Sequence, residues 1–132
     1  MAYELHLERI IADKHGQPTP IPLEDWCAAV AETSGVRLYP NERYSFTTND
    51  GAVISYLAKK GDTEVFFADS KQWRSVFRWQ DGSVIVAGGF LPGDTSHPVW
   101  TAATTLAAQL GAVVRGDEGE VYDLQTGEIV DA

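Results

Sequence analysis

The amino-acid sequence predicts an α+β domain in which an antiparallel meander of strands carries two α-helices packed on one face. Three observations lead to this prediction. Short runs of alternating apolar and polar residues indicate strands, turn dipeptides rich in Gly, Asn and Asp separate these runs, and two segments with helical apolar spacing each begin with proline. The chain has 132 residues, which is the usual size of one domain. Residues 1–132 are therefore predicted to form a single α+β domain.

The N-terminal segment has the two-residue period of a half-buried strand. Tyr3, Leu5 and Leu7 alternate with polar residues, so their side chains should share one face of a sheet, while His6 should face the solvent. A second, short strand is predicted over Val36–Tyr39.

The first helix is predicted between these two strands. Residues 13–20 contain glycine and two prolines and predict a loop that leads to Pro22, a residue favoured in the first turn of a helix. Apolar residues at helical spacing then predict a helix from about Leu23 to Thr33, and Gly35 is suited to a left-handed cap.

The segment between the helices, residues 44–90, predicts a meander of successive strands. The turn signals that separate them are Asn49-Asp50-Gly51, Lys60-Gly61-Asp62, Asp69-Ser70-Lys71 and Asp81-Gly82. One of these strands has clearly two-sided character. Its predicted faces are Trp73, Phe77 and Trp79 on one side and Arg74, Val76 and Arg78 on the other.

The C-terminal third predicts a second helix followed by a hairpin. Residues 88–97 predict another loop, Pro98 opens the helix and Gly111 closes it. Ala112–Arg115 and Glu120–Leu124 are then predicted to pair around an Asp-Glu-Gly turn.

The charge of the chain is strongly negative and unevenly distributed. The formal net charge is −9, which repels nucleic acid and anionic lipid and attracts basic proteins. Residues 112–132 contain six acidic residues and one basic residue, whereas residues 59–78 contain five basic and three acidic residues. We therefore expect a molecule with an acidic end, a basic protein partner, no nucleic acid and no membrane.

The single cysteine, Cys27, rules out an intramolecular disulfide and favours the cytoplasm. It follows Trp26 in the predicted first helix, where we expect a buried and unreactive thiol. Residues 1–11 alternate in polarity and carry charges, so they do not have the pattern of a signal peptide, and no apolar run has the length of a membrane span.

No motif in the sequence predicts a metal, a nucleotide or another cofactor. His6, His15 and His97 are far apart and belong to no metal-binding pattern. The glycines at 88 and 89 are not followed by the residues of a phosphate-binding loop. His97 precedes a helix, and its expected contribution is to the local turn geometry.

Acidic and aromatic residues are the remaining candidates for function. Acids in turns are normally solvated, and tryptophans normally fill a core. We therefore expect Trp26 and Trp100 between the helices and the sheet, and a solvated acidic cluster for partner binding at Asp117, Glu118, Glu120 and Asp123.

Three segments together resemble a group of small acidic bacterial proteins. They are Pro22–Trp26 (PLEDW), Val76–Trp79 (VFRW) and Leu106–Tyr122, which are distributed over most of the length of the chain. Several such stand-alone domains are immunity proteins that neutralise toxins used in competition between bacteria. The shared motifs are structural and transfer no activity, so the expectation of protein binding without catalysis also depends on the small size, the acidity and the lack of a catalytic motif in the sequence.

These observations lead to one main hypothesis and two alternatives. The first is a non-catalytic protein-binding domain, an immunity protein or antitoxin that masks a basic toxin. The second is a small enzyme or a small-ligand-binding protein that uses a groove between the helices and the sheet, with His97 nearby. The third is a homodimer in which an exposed sheet edge pairs with itself, so that the expected state is a monomer or a homodimer.

Overall fold

Two helices and ten strands form the part of the chain that the computed structural model describes, residues 4–9, 19–87 and 94–131. The helices are α1 (Leu23–Ala31) and α2 (Pro98–Leu110). The strands are β1 (Leu5–Arg9), β2 (Val36–Leu38), β3 (Arg43–Thr47), β4 (Val53–Leu57), β5 (Thr63–Phe67), β6 (Gln72–Gln80), β7 (Ser83–Val86), β8 (Ala112–Gly116), β9 (Val121–Tyr122) and β10 (Ile129–Asp131). Most of the predicted loops 13–20 and 88–97 lies outside these residues, as does His15.

Eight of the strands form one antiparallel sheet in the order β10-β9-β8-β1-β7-β6-β5-β2. Both helices pack on the same face of this sheet, so the predicted α+β class is confirmed. Alternate residues of the strands point into this layer, as Leu5 and Leu7 of β1 do, and the opposite face is called the outer face below. Within the described residues, neither helix has the length and hydropathy that a transmembrane helix needs.

Large aromatic side chains fill the space between the helices and the sheet. Trp26 is 0% exposed, contacts Phe77 edge-to-face, and donates a hydrogen bond from Nε1 to the carbonyl of Gly61 at 2.8 Å. Trp100 is also buried and packs against Tyr122. The predicted core positions of both tryptophans are confirmed, and each ring bridges elements distant in sequence.

The observed ends of α2 agree with those predicted from the sequence, whereas α1 ends earlier than predicted. α2 begins at Pro98, and Gly111 closes it in the left-handed conformation with φ 64°. α1 ends at Ala31, two residues earlier than predicted, and Gly35 lies beyond its C-cap residue, Glu32. The early end follows from the next strand, β2, which begins at Val36 and needs residues 32–35 to reverse the chain.

The two-sided strand, β6, contains a β-bulge that overturns part of its predicted pattern. Thr63 pairs with Phe77, but the next residue, Glu64, pairs with Ser75, so that Val76 is the additional residue. The bulge moves Trp73 to the outer face opposite Phe66, whereas Phe77 and Trp79 remain on the helix side. Val76, which the sequence places on one face with Arg74 and Arg78, is buried, whereas both arginines are exposed.

The predicted meander is interrupted because β3 and β4 leave the main sheet. β2 pairs directly with β5, and the amide of Tyr39 donates to the carbonyl of Asp62 at 2.8 Å. This contact brings together the two ends of residues 40–61. Within this segment, β3 and β4 form a separate two-stranded sheet, called the side hairpin below. Of the strands described within residues 44–90, β5, β6 and β7 form a meander in the main sheet.

Candidate binding surfaces

The strand order concentrates acidic residues at one edge of the sheet. β8, β9 and β10 occupy this edge, and the basic segment around β5 and β6 lies towards the other. The one basic residue among positions 112–132, Arg115, donates to the carbonyl of Gly119 at 2.9 Å and lies 3.6 Å from Glu8. We call the exposed or half-exposed acids here the acidic edge: Asp117, Glu118, Asp123 and Glu128.

Asp117 is an exposed carboxylate that hydrogen bonds hold in one orientation. Its Oδ2 accepts from the backbone amide of Glu4 at 2.8 Å, and its Oδ1 lies 3.0 Å from Nε2 of His6. The hydrogen bond from Glu4, followed by that from His6, lowers the pKa of Asp117. His6 lies on the outer face as predicted, but its ring is partly covered by this contact.

Asp123 is oriented in a similar way by a turn. Its Oδ1 accepts hydrogen bonds from the backbone amides of Thr126 at 2.9 Å and Gln125 at 2.8 Å. These bonds lower the pKa of Asp123, first through Thr126. Both aspartates therefore retain their negative charge under conditions in which an ordinary carboxyl group begins to take up a proton.

Glu120 differs from its neighbours because it is only 8% exposed. Its Oε2 accepts from the hydroxyl of Tyr122 at 2.9 Å and its Oε1 accepts from the amide of Glu118 at 3.2 Å. The expectation of a solvated carboxylate is wrong for this residue. Its two-residue spacing from Tyr122, which is buried, is the sequence signal that indicates an inward side chain.

A cleft of about 480 Å³ lies on the outer face, between the main sheet and the side hairpin. The ring of Tyr44 stacks on Tyr39 with centroids 4.1 Å apart and lies 5.2 Å from the ring of Tyr56. We call this space between the main sheet and the side hairpin the tyrosine cleft. It is lined by Tyr44 and Tyr56 from the hairpin, by Lys59 and Asp62 from its base, and by residues of the sheet that include Arg78 and Ile85.

The polar centre of the tyrosine cleft is Asp62, which is 7% exposed. Its Oδ2 accepts from the hydroxyl of Tyr44 at 2.9 Å and from the amide of Lys59 at 3.1 Å. Its Oδ1 has no hydrogen-bond partner among the described residues. Asp62 belongs to a Lys-Gly-Asp turn, for which the sequence predicts solvent exposure, so this buried carboxylate was not apparent from the local pattern.

Tyr44 should ionise at a higher pH than an ordinary tyrosine, because burial and the hydrogen bond to Asp62 raise its pKa from 10.0 to about 12. As the pH rises, the phenol of Tyr44 therefore loses its proton in the unfolded chain before it does so in the folded protein. The contribution of this phenol to stability is present below pH 10 and is lost as the pH rises towards 12. We expect the difference between the phenolate absorbance curves of the wild type and Tyr44→Phe to be centred near pH 12. A difference curve centred near pH 10 would contradict the burial of this hydroxyl.

A groove between the helices and the sheet also exists, with a volume of about 370 Å³. Its lining includes Thr33, Thr101 and Thr105 from the helical layer and Val65 and Phe66 from β5. Among the described residues, none of the side chains that line it is ionisable.

The structure agrees with the prediction for His97 but not with the prediction for Cys27. His97 is the N-cap of α2, and its Nδ1 accepts from the amide of Val99 at 3.1 Å, in agreement with a local structural contribution. Cys27 is half-buried and lies outside the core cluster, so the expectation of a fully buried thiol is wrong. It borders a shallow groove beside Leu38 and Tyr39.

Within the described ranges, no three His, Cys, Asp or Glu residues come together in a metal-binding arrangement.

Comparisons with protein-family models, with curated proteins and with solved structures find no match to this chain.

Proposed function

We propose that this protein is a non-catalytic protein-binding domain, an immunity protein or antitoxin that acts in the cytoplasm and masks a basic bacterial toxin. The observation that carries the proposal is the acidic edge, where Asp117 and Asp123 are held as oriented, ionised carboxylates. Glu118 and Glu128 lie exposed in the same segment. No nucleic acid is expected to bind, because the charge of the edge has the same sign as the phosphates.

Oriented carboxylates suit a basic partner for two physical reasons. A side chain that hydrogen bonds already hold loses less conformational entropy when a partner arrives. A group of charges of one sign also produces a field that accelerates encounter with a surface of opposite charge, and salt weakens this field. Asp117 and Asp123 supply the fixed charges, and the two exposed glutamates are free to adapt to the partner.

The test is to capture the basic partner from the source cells and to measure its association rate with charge variants. The double variant Glu118→Gln/Glu128→Gln should bind about tenfold more slowly at low salt, because it removes two charges from the acidic edge. The hydrogen bonds that orient Asp117 and Asp123 are kept. The same slowing should appear when the wild type is measured at high salt. Asp117 and Glu120 are left unchanged, since both carboxylates hold local structure.

The matched control is Glu24→Gln/Glu32→Gln, which makes the same change of charge on exposed residues of α1 and its C-cap. This control should bind at nearly the wild-type rate. In addition, expression of the captured protein alone should stop cell growth, and co-expression of this chain should restore it. Equal rates for both double variants would place the interface elsewhere, and a harmless partner would contradict the immunity function.

The alternative function, binding of a small ligand, is favoured by the tyrosine cleft rather than by the groove between the helices and the sheet. The specific observation is Oδ1 of Asp62, a buried acceptor without a partner among the described residues, beside the stacked rings of Tyr44 and Tyr39. Such an acceptor suits an N–H or O–H donor on a planar ligand. Native mass spectrometry of the purified protein would favour this alternative by detecting a bound small molecule that Asp62→Ala loses.

A further inference from the structure

The side hairpin exposes a strand that carries no charge. All five residues of β4 are exposed, and the exposed fractions of Val53 and Leu57 reach 68% and 62%. The run from Gly51 to Ala58 contains no charged residue and no proline. An uncharged, apolar edge strand is the kind of surface that natural proteins cover or pair.

The hydrogen-bond pattern of the hairpin determines which backbone groups of β4 point outwards. The amide of Ala58 donates to Glu42, and the amide of Thr48 donates to Ala52, at the two ends of the ladder. Bonded and non-bonded pairs alternate in an antiparallel ladder. The Ser45–Ser55 pair therefore belongs to the non-bonded set. It follows that the N–H and C=O groups of Val53, Ser55 and Leu57 point away from β3.

The β4 edge is more open than the β3 edge. On β3, the outward carbonyl of Arg43 accepts a hydrogen bond from the hydroxyl of Tyr39 at 3.0 Å. On β4, the carbonyl of Ser55 has only a long contact of 3.4 Å from Nη2 of Arg43. A carbonyl oxygen with two lone pairs can accept a second donor, so an approaching strand can pair with β4 without breaking the hairpin.

The distribution of charge opposes a second copy less strongly at this end of the molecule than at the acidic edge. Residues 36–80 contain seven basic and five acidic residues, whereas the rest of the chain contains three basic and fourteen acidic residues. Two copies that met through their acidic edges would repel each other strongly. The side hairpin belongs to residues 36–80, which carry a small excess of basic residues, so contact through the hairpins brings no acidic clusters of this kind face to face.

We propose that β4 pairs antiparallel with β4 of a second copy, which creates a four-stranded sheet across a two-fold axis at Ser55. In this register the outward groups of Ser55 face those of Ser55 of the second copy, and Val53 faces Leu57 of the second copy. All the outward N–H and C=O groups of Val53, Ser55 and Leu57 then find partners. Ile54 lies opposite Tyr56 of the second copy, so the pairing covers apolar side chains on both faces of the strand.

The first test compares Ser55→Pro with Ser45→Pro by sedimentation equilibrium and light scattering. Each proline removes an outward N–H and leaves the backbone hydrogen bonds between β3 and β4 intact, but only Ser55 lies on the proposed interface. Ser55→Pro also removes the exposed hydrogen bond from Arg43 to Oγ of Ser55, so Ser55→Ala is measured beside it and should dimerise like the wild type. We expect a dimer for the wild type and for Ser45→Pro, and at least a tenfold weaker dimer for Ser55→Pro. A monomeric wild type, or equal weakening by both prolines, overturns the proposal.

Cross-linking provides a measurement that does not depend on how proline is tolerated. In a background with Cys27→Ser, Ser55→Cys should form a disulfide-linked dimer under mild oxidation. Bonded antiparallel pairs have Cα atoms about 5.5 Å apart, which suits a disulfide. Ser45→Cys, on the other strand of the hairpin, is the control and should remain largely monomeric on a non-reducing gel. Equal cross-linking of the two variants overturns the proposed register.

Salt distinguishes this interface from the partner-binding surface. Both copies are acidic, and each carries Arg43 beside Ser55, with Nε of Arg43 donating to Oγ at 2.8 Å. Screening of these like charges should strengthen the dimer, whereas it should slow association with the basic partner. Glu118→Gln/Glu128→Gln should leave the dimer intact, so failure of either proposal leaves the other testable. A dimer that weakens when salt is raised contradicts this electrostatic argument.

Discussion

Replacing Trp26 with alanine should lower the free energy of unfolding by about 3–5 kcal/mol, the usual cost of truncating a buried large aromatic residue. The indole is 0% exposed, packs edge-to-face on Phe77 of β6, and donates to the carbonyl of Gly61. The substitution therefore leaves a cavity and removes one of the two donors to the carbonyl of Gly61, which keeps only the hydroxyl of Thr63. Urea denaturation followed by far-UV circular dichroism measures the loss.

Trp73→Ala is the matched control for this substitution. Trp73 is half-buried on the outer face, where Arg37 lies 4.2 Å above its ring and Phe66 is beside it. The control should cost less than half as much as Trp26→Ala, because water already reaches much of this ring. Equal losses from the two substitutions would contradict the bulge at Val76, which separates Trp73 from the helix-facing side of β6.

Gly82→Ala should destabilise the protein by about 2–5 kcal/mol, from left-handed strain together with overpacking. Gly82 has φ 92°, and the preceding residue, Asp81, also has a positive φ of 52°. An added Cβ would overlap Cβ of Pro20 and lie 3.1 Å from its Cα. Because the carbonyl of Gly82 also accepts from the amide of Ile21 at 2.7 Å, this turn anchors the segment that enters α1.

Gly51→Ala separates the cost of the backbone conformation from the cost of the overlap. Gly51 has φ 87°, close to that of Gly82, but nothing lies within 4 Å of the position that its Cβ would take. This control should cost about 1–2 kcal/mol, the strain of a left-handed residue alone. Chemical denaturation of both variants should therefore give a clearly larger loss for Gly82→Ala. A similar loss for the two variants would show that Pro20 moves aside.

Local sequence signals were sufficient where short-range physics decides the structure. Pro98 and Gly111 mark the ends of α2 because their backbone preferences suit those positions. The Asp81-Gly82 pair gives a tight hairpin turn because both residues adopt positive φ. The alternation of Leu5 and Leu7 with polar residues indicated a strand with one buried face, and both leucines are in the core.

The same signals did not reveal how the strands are shared between two sheets. The apolar runs at β3 and β4 predict strands, but only the pairing of β2 with β5 excludes them from the main sheet. The uncharged run Gly51–Ala58 was the available signal for an unusual edge. Its exposure became apparent only once the strand partners were known, because burial depends on residues distant in sequence.

In the candidate site, the acidic C-terminal segment shows the same difference between what the sequence predicts and what the tertiary structure decides. Its composition alone predicts a negative surface, and the strand order places it at one edge of the sheet. Tertiary structure decided which carboxylates are available: Asp117 is oriented by Glu4, 113 residues away in sequence, and Glu120 is turned inwards to Tyr122. Charge is a property of each residue and can be counted from the sequence. Orientation, burial and pKa depend on neighbours that only the folded chain brings together.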